Sequence, residues 1–114
     1  INVLLMKHIW LNTTELKKFM KKSKTKDEKQ WLNRMAEFGC CVCRKYHDVT
    51  DAPPANLHHI REGMGMGQKN NDYMVIPLCH YHHQGEGGYH TSPKDWVEKY
   101  GKESEMLDWV LDNL

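Results

Sequence analysis

Apolar positions in the first third of the chain fall at helical intervals. From Thr13 onward Leu16, Phe19 and Met20 recur at three and four residues, with Thr13 placed to cap, Glu15 in the first turn and lysines on the remaining face. A second helix is predicted over Asp27 to Phe38, where Trp31, Leu32, Met35 and Phe38 share one side and Gly39 supplies the stop. Between them Lys21 to Lys26 is too polar to build core, and reads as an exposed turn or a stretch ordered by an anionic partner.

The pattern then shortens. Cys40 to Tyr46 is predicted to form a tight turn, and Asp51 to Pro54 is extended or turning because Pro53 and Pro54 exclude a regular helix. Ala55 to Ile60 and Tyr73 to Leu78 are short apolar runs that read as the two strands of a hairpin. Arg61 to Asp72 joins them as a loop, with Gly63, Gly65 and Gly67 alternating with methionines and giving it a mobile composition. After Cys79 a short helix is predicted to carry histidines. Ser92 and Pro93 then open another, with Asp95 near its positive end and Trp96, Val97 and Tyr100 on its apolar side. Gly101 ends it, and Met106, Leu107, Val110, Leu111 and Leu114 define a last amphipathic helix. Trp31, Trp96 and Trp109 stand at helical spacings, as core residues do.

With 114 residues the chain is one domain by size, small enough for a bound metal to matter to its stability. The net charge of +1 conceals an asymmetry: residues 1–34 carry nine Lys or Arg against three acids, whereas residues 86–114 carry three against seven. A basic arm of this kind suggests a polyanionic partner, nucleic acid being the commonest. The apolar run at residues 1–11 is interrupted by Lys7 and His8 and is too short to span a bilayer, so no membrane association is expected. The expected compartment is intracellular, where thiols stay reduced and cysteines at ligand spacing bind metal more readily than they form disulfides.

Three clusters then change the picture: Cys40-Cys41-Val42-Cys43, Leu57-His58-His59-Ile60, and Pro77-Leu78-Cys79-His80-Tyr81-His82-His83. They hold all four cysteines and five of the eight histidines. Cys40 and Cys43 have the two-residue spacing that lets one turn offer two sulfurs to zinc, and Cys79 and His82 repeat it, so these four are predicted to bind a structural Zn²⁺. Cys41 is then surplus and reads as a small buried hydrophobe, with a ligand role as the alternative, and disulfides within the set are the alternative to the zinc site. His58 and His59 are neighbours in a predicted strand, so their side chains leave on opposite faces. His83 follows His82 on a helix, about a hundred degrees around its axis, and can face the hairpin while His82 faces the zinc. His58 and His83 are thus candidates for a second, open metal site.

A histidine pair on the first strand, a second strand ending in Pro-Leu-Cys and a helix opening Cys-x-x-[Cys or His]-His resemble the HNH, or ββα-metal, endonucleases whose finger is stapled by a structural zinc. Leu57-His58-His59-Ile60 and Ile76-Pro77-Leu78-Cys79-His80-Tyr81-His82-His83-Gln84 are most similar to the phage recombination-enhancement, RecA-dependent nucleases, the Ref-like group. The resemblance covers about residues 40–90. It implies an α+β fold, a small zinc-stapled ββα-metal finger flanked by N-terminal and C-terminal α-helices, with residues 1–38 a basic helical segment and residues 39–114 the nuclease domain. It implies His58 and His83 as ligands of a catalytic divalent metal (Mg²⁺, Mn²⁺ or Zn²⁺) and His59 as the general base, with His90 placed to be a third ligand or to cap the glycine-rich turn. The usual central asparagine falls on Met74, a departure from the motif. Among Asn70, Asn71 and Asp72, the residue chosen to orient His59 or the hairpin is Asp72.

The expectation is therefore a metal-dependent DNA endonuclease, in the cytoplasm of a bacterial host and phage or prophage encoded, with a RecA-type recombinase filament as a partner implied by the resemblance. The alternative is a zinc-stabilised nucleic-acid-binding module without cleavage. Lys17, Lys18, Lys21, Lys22, Lys24 and Lys26 are candidates for phosphate contacts, or else a solvated helix face, and Arg61 and Lys69 are candidates beside the predicted site.

Overall fold

The computed structural model describes residues 24–114. The helix expected around Leu16, Phe19 and Met20, and Lys17, Lys18, Lys21 and Lys22, lie outside the described residues. Over the rest, the protein is an α+β arrangement of a two-stranded antiparallel sheet and five helices.

Helix α1 is Lys26–Phe38, one residue earlier than its apolar pattern predicts. The reason is a capping box. Thr25 Oγ1 accepts from the Glu28 backbone N–H at 3.1 Å, and Glu28 Oε1 accepts from the Thr25 N–H at 3.2 Å. Trp31, Met35 and Phe38 form the buried face. Gly39 ends the helix at φ 83°, ψ 176°, a region open essentially to glycine, and a Cβ there would stand 2.5 Å from the Cβ of Ala52.

The segment predicted as a tight turn is helical: α2 is Cys41–Tyr46, with Cys40 as its cap residue. Tertiary packing overrides the local reading, since Cys41 and Val42 are completely buried. Arg44 reinforces the junction by donating to the Phe38 carbonyl at 3.0 Å while its guanidinium lies 4.0 Å from the Phe38 ring centroid.

Strands β1 (Asn56–His59) and β2 (Val75–Leu78) pair antiparallel, with His58 opposite Ile76 and His59 opposite Val75. Pro77 lacks an N–H for a ladder, and a two-stranded sheet has the free edge that tolerates it. Every residue of β2 is buried because α1, α2 and the last helix all pack against it. Helix α3 (His80–His83) is one turn, α4 is Pro93–Tyr100 and α5 is Glu103–Asn113. Pro93 starts α4 as predicted, although the Ser92 side chain makes no capping hydrogen bond.

Trp31, Met35 and Phe38 share one core with Val75, Ile76, Leu78, Trp96, Met106, Leu107 and Val110. The expected boundary between residues 38 and 39 does not divide that core. Trp31 and Trp96 are buried and Trp109 packs against the cluster. Among the described residues no helix is long and apolar enough to cross a membrane.

Candidate metal centres

Cys40 at the cap of α2 and Cys43 one turn into it face Cys79 and His82 across the start of α3. His82 Nδ1 lies 3.5 Å from Cys40 Sγ, 3.6 Å from Cys43 Sγ and 3.2 Å from Cys79 Sγ, and the Cys43 and Cys79 sulfurs are 3.9 Å apart. A tetrahedral zinc with its usual bond lengths requires sulfur–sulfur edges of about 3.8 Å and sulfur–nitrogen edges of about 3.6 Å. The donor set fits a structural zinc in both composition and spacing.

Its electrostatics call for a cation. Burial pushes the Cys43 thiol up to about 12, and the neighbouring thiols add to the rise; Cys40 is raised chiefly by burial. Burial likewise lowers the pKa of His82, leaving it neutral and able to ligate. Cys41 is fully buried outside this group, and its thiol is raised well above the ordinary value, first by desolvation. It therefore behaves as core.

Strand alternation separates the histidine pair. His58 is 1% exposed and turns inward to His83 and His90, and the three offer ring nitrogens close enough to share one ion. His83 and His90 bring their Nε2 atoms within 3.1 Å, near the edge of about 3.3 Å that two nitrogens take on a tetrahedral zinc. Two features converge on this geometry: α3 aims His83 at the hairpin, and the turn after Gly88 returns the chain so that the His90 N–H donates to the His83 carbonyl at 3.1 Å. Burial, followed by the charges that His58 and His90 would carry, lowers the His83 pKa to about 4. Burial also lowers that of His90, so His83 and His90 are free bases at neutral pH.

His59, on the other face of β1, is half-buried. Its Nε2 stands 2.9 Å from Asp72 Oδ1, and Asp72 Oδ2 is 3.0 Å from Lys24 Nζ. Burial would raise the Asp72 pKa, but hydrogen bonds from His59 and Lys24 outweigh it and hold the group below the usual value. An ionised carboxylate only accepts, so the proton of His59 sits on Nε2 and its Nδ1 is left as a base. Burial lowers the His59 pKa, the Lys69 charge lowers it further, and Asp72 opposes both.

The predicted nucleic-acid residues divide. Lys26 and Lys69 are exposed, and Lys24 reaches Asp72. The guanidinium of Arg61 is directed into its own loop. It donates to the carbonyls of Gly65, at 2.8 Å, and of Gln68, while Gln68 Oε1 accepts from the Gly65 N–H at 3.1 Å. The glycine-methionine loop is thus tied from within. In a chain read residue by residue an arginine beside glycines looks free, whereas folded carbonyls are its nearest acceptors.

Sequence reasoning missed Glu103. This carboxylate is 2% exposed and accepts from His58 Nε2 at 2.5 Å, the Arg61 backbone N–H at 2.9 Å and the Tyr89 hydroxyl at 3.0 Å. Burial favours its neutral form, yet these donors bring its pKa below the ordinary carboxylate value. A signal was present: Glu103 precedes Met106, Leu107 and Val110 by three, four and seven residues, which places it on the buried face of α5.

Fold and site together define a small α+β protein with a Cys₃His group able to hold a metal ion such as zinc. Residues 6–114 match the family described as "Protein of unknown function (DUF968)", and the chain belongs to that family. It is similar to the uncharacterized protein YdfU of Escherichia coli (strain K12), with 37% identity over 62 residues, covering 53% of this chain and 17% of that relative. The chain therefore spans a small part of the relative's length. No solved structure matches it significantly.

Proposed function

We propose that this chain is a metal-dependent endonuclease of the HNH, ββα-metal type that hydrolyses phosphodiester bonds in DNA. The observation that carries the reading is the pairing of His59 with Asp72 on one face of β1 while its neighbour His58 joins His83 and His90 on the other. A base and a three-imidazole group are thereby fixed one residue apart. The Cys₃His group takes its donors from α2 and from the start of α3, the helix that carries His83, so an ion held there would join the two.

Hydrolysis at neutral pH needs a nucleophile and compensation for charge on the phosphate and the departing oxygen. A divalent ion such as Mg²⁺, Mn²⁺ or Zn²⁺, when bound by His58, His83 and His90, supplies that charge compensation. His59 takes a proton from water at Nδ1, and Asp72 fixes the ring and stabilises the imidazolium that results. Exposed Lys26 and Lys69 add positive charge for a polyanionic strand. The likeness to the Ref-like group supports a phage or prophage origin and a RecA-type filament that presents the DNA in the bacterial cytoplasm.

Nicking of supercoiled plasmid tests the reading, with wild type and His59→Ala compared in Mg²⁺, Mn²⁺ or Zn²⁺, with and without a RecA-coated single strand. Wild-type cutting that falls by about 10²–10⁴-fold in His59→Ala is the expected result. Cutting that survives the substitution sinks the assignment of His59. DNA binding without cutting in every condition replaces the nuclease by a zinc-stabilised binding module.

A further inference from the structure

We infer that Glu103 is the positioning residue of the three-histidine group, holding His58 as the Nε2–H tautomer so that His58 meets an ion through Nδ1. Imidazole has two ring nitrogens, and His58 Nε2 already faces Glu103 Oε2 at 2.5 Å. The carboxylate also accepts from the Arg61 N–H and the Tyr89 hydroxyl, so every neighbour that touches it is a donor. It cannot turn away to water, being 2% exposed. The lone pair of His58 is thus left on Nδ1. Carboxylates that grip the far nitrogen of a ligating histidine fix its rotation and raise its basicity, and their loss weakens metal binding by about 10–100-fold.

Glu103 comes from the first turn of α5, 45 residues after His58. Packing α5 on β2 and setting the ring of His58 are therefore one event. The Arg61 N–H connects the same carboxylate to the residue that leaves β1. Tyr89 extends the contact to the turn that carries His90, its ring centroid lying 4.5 Å from that of His58. One carboxylate thereby spans the elements that supply two of the three histidines.

The inference rests on the reading of His58, His83 and His90 as ion ligands, and does not require DNA cleavage. Co²⁺ titration of the full chain is expected to show two ions for wild type, one with a thiolate charge-transfer band and a second without. Glu103→Ala should keep the first and bind the second about 10–100-fold more weakly. Glu103→Gln should fall between, because its amide oxygen can take the place of Oε2 while the Tyr89 hydroxyl turns to accept. A purely structural contact would lower Tm in these variants without changing the affinity of the folded chain for the second ion, and that result overturns the inference. Nitrogen-15 NMR of the wild-type zinc form decides the matter even if Glu103→Ala does not fold: His58 should show protonated Nε2 and metal-bound Nδ1, and the reverse is fatal. A wild type that binds only one ion removes the three-histidine site and this inference together. Two ions with the expected Glu103 dependence but no nicking leave the inference standing and remove only the nuclease reading.

Discussion

Asp72 Oδ1 accepts the Nε2–H of His59 at 2.9 Å, across a loop of the chain. The neighbouring His58 has the same relationship with a different carboxylate, Glu103, on the opposite face of β1. Two adjacent imidazoles are therefore set in the same tautomer by separate acids. His58 is sealed inside while His59 retains contact with solvent.

This pairing makes Asp72 a test of the proposed base. Asp72→Ala should keep the fold and its metal content, since the carboxylate belongs to neither candidate metal-binding group and contacts His59 and Lys24 instead. Cutting should fall by at least about ten-fold, yet by less than the ~10²–10⁴-fold expected for removing His59 itself. Single-turnover rates on plasmid measure this, and an unchanged rate rejects Asp72 as the residue that orients His59.

The pH profile follows from the surroundings of His59. Burial and the Lys69 charge lower its pKa despite Asp72, so the neutral base persists to lower pH than for a free histidine. Activity should stay high as pH falls to about 6.5 and decline only below that ordinary value. Lys69→Ala should move the decline toward higher pH, because one of the forces holding the pKa down is gone. An acid limb centred above the ordinary value contradicts the role given to His59.

Withdrawing metal from the Cys₃His group should be felt throughout the domain. Without a cation the buried thiols hold their protons, as the rise of Cys43 to about 12 indicates, so zinc uptake should release protons and weaken as pH falls. Calorimetry in buffers of different ionisation enthalpy reads this directly. Chelation, or Cys43→Ser, should remove several kcal/mol of stability, because structural zinc sites contribute roughly 10 kcal/mol or more of apparent binding energy. A Tm unaffected by chelation excludes a stabilising ion at this site.

Much of the frame was legible because it is periodic. Trp31, Met35 and Phe38 repeat at helical spacing and are buried on α1, and Met106, Leu107 and Val110 do the same on α5. The sulfurs of Cys40, Cys43 and Cys79 and the ring of His82 converge as their spacing predicts, since a two-residue interval already brings each pair of donors to one side. The α2 helix was less legible. Six residues, two of them cysteines, carry little helical periodicity, and burial of Cys41 and Val42 decides their conformation.

The residue pattern alone contained the described helices other than α2, the hairpin, the Cys₃His donor set and the opposite facing of His58 and His59, all of which follow from local spacing or strand alternation. Tertiary structure decided which nitrogen each histidine offers, that Arg61 turns into its own loop, and that Glu103 leaves an acidic tail to sit beside His58. These outcomes depend on groups distant in the chain meeting where water is excluded. There a buried carboxylate is stable only where donors already converge, and the docking of α5 on β2 brings them together.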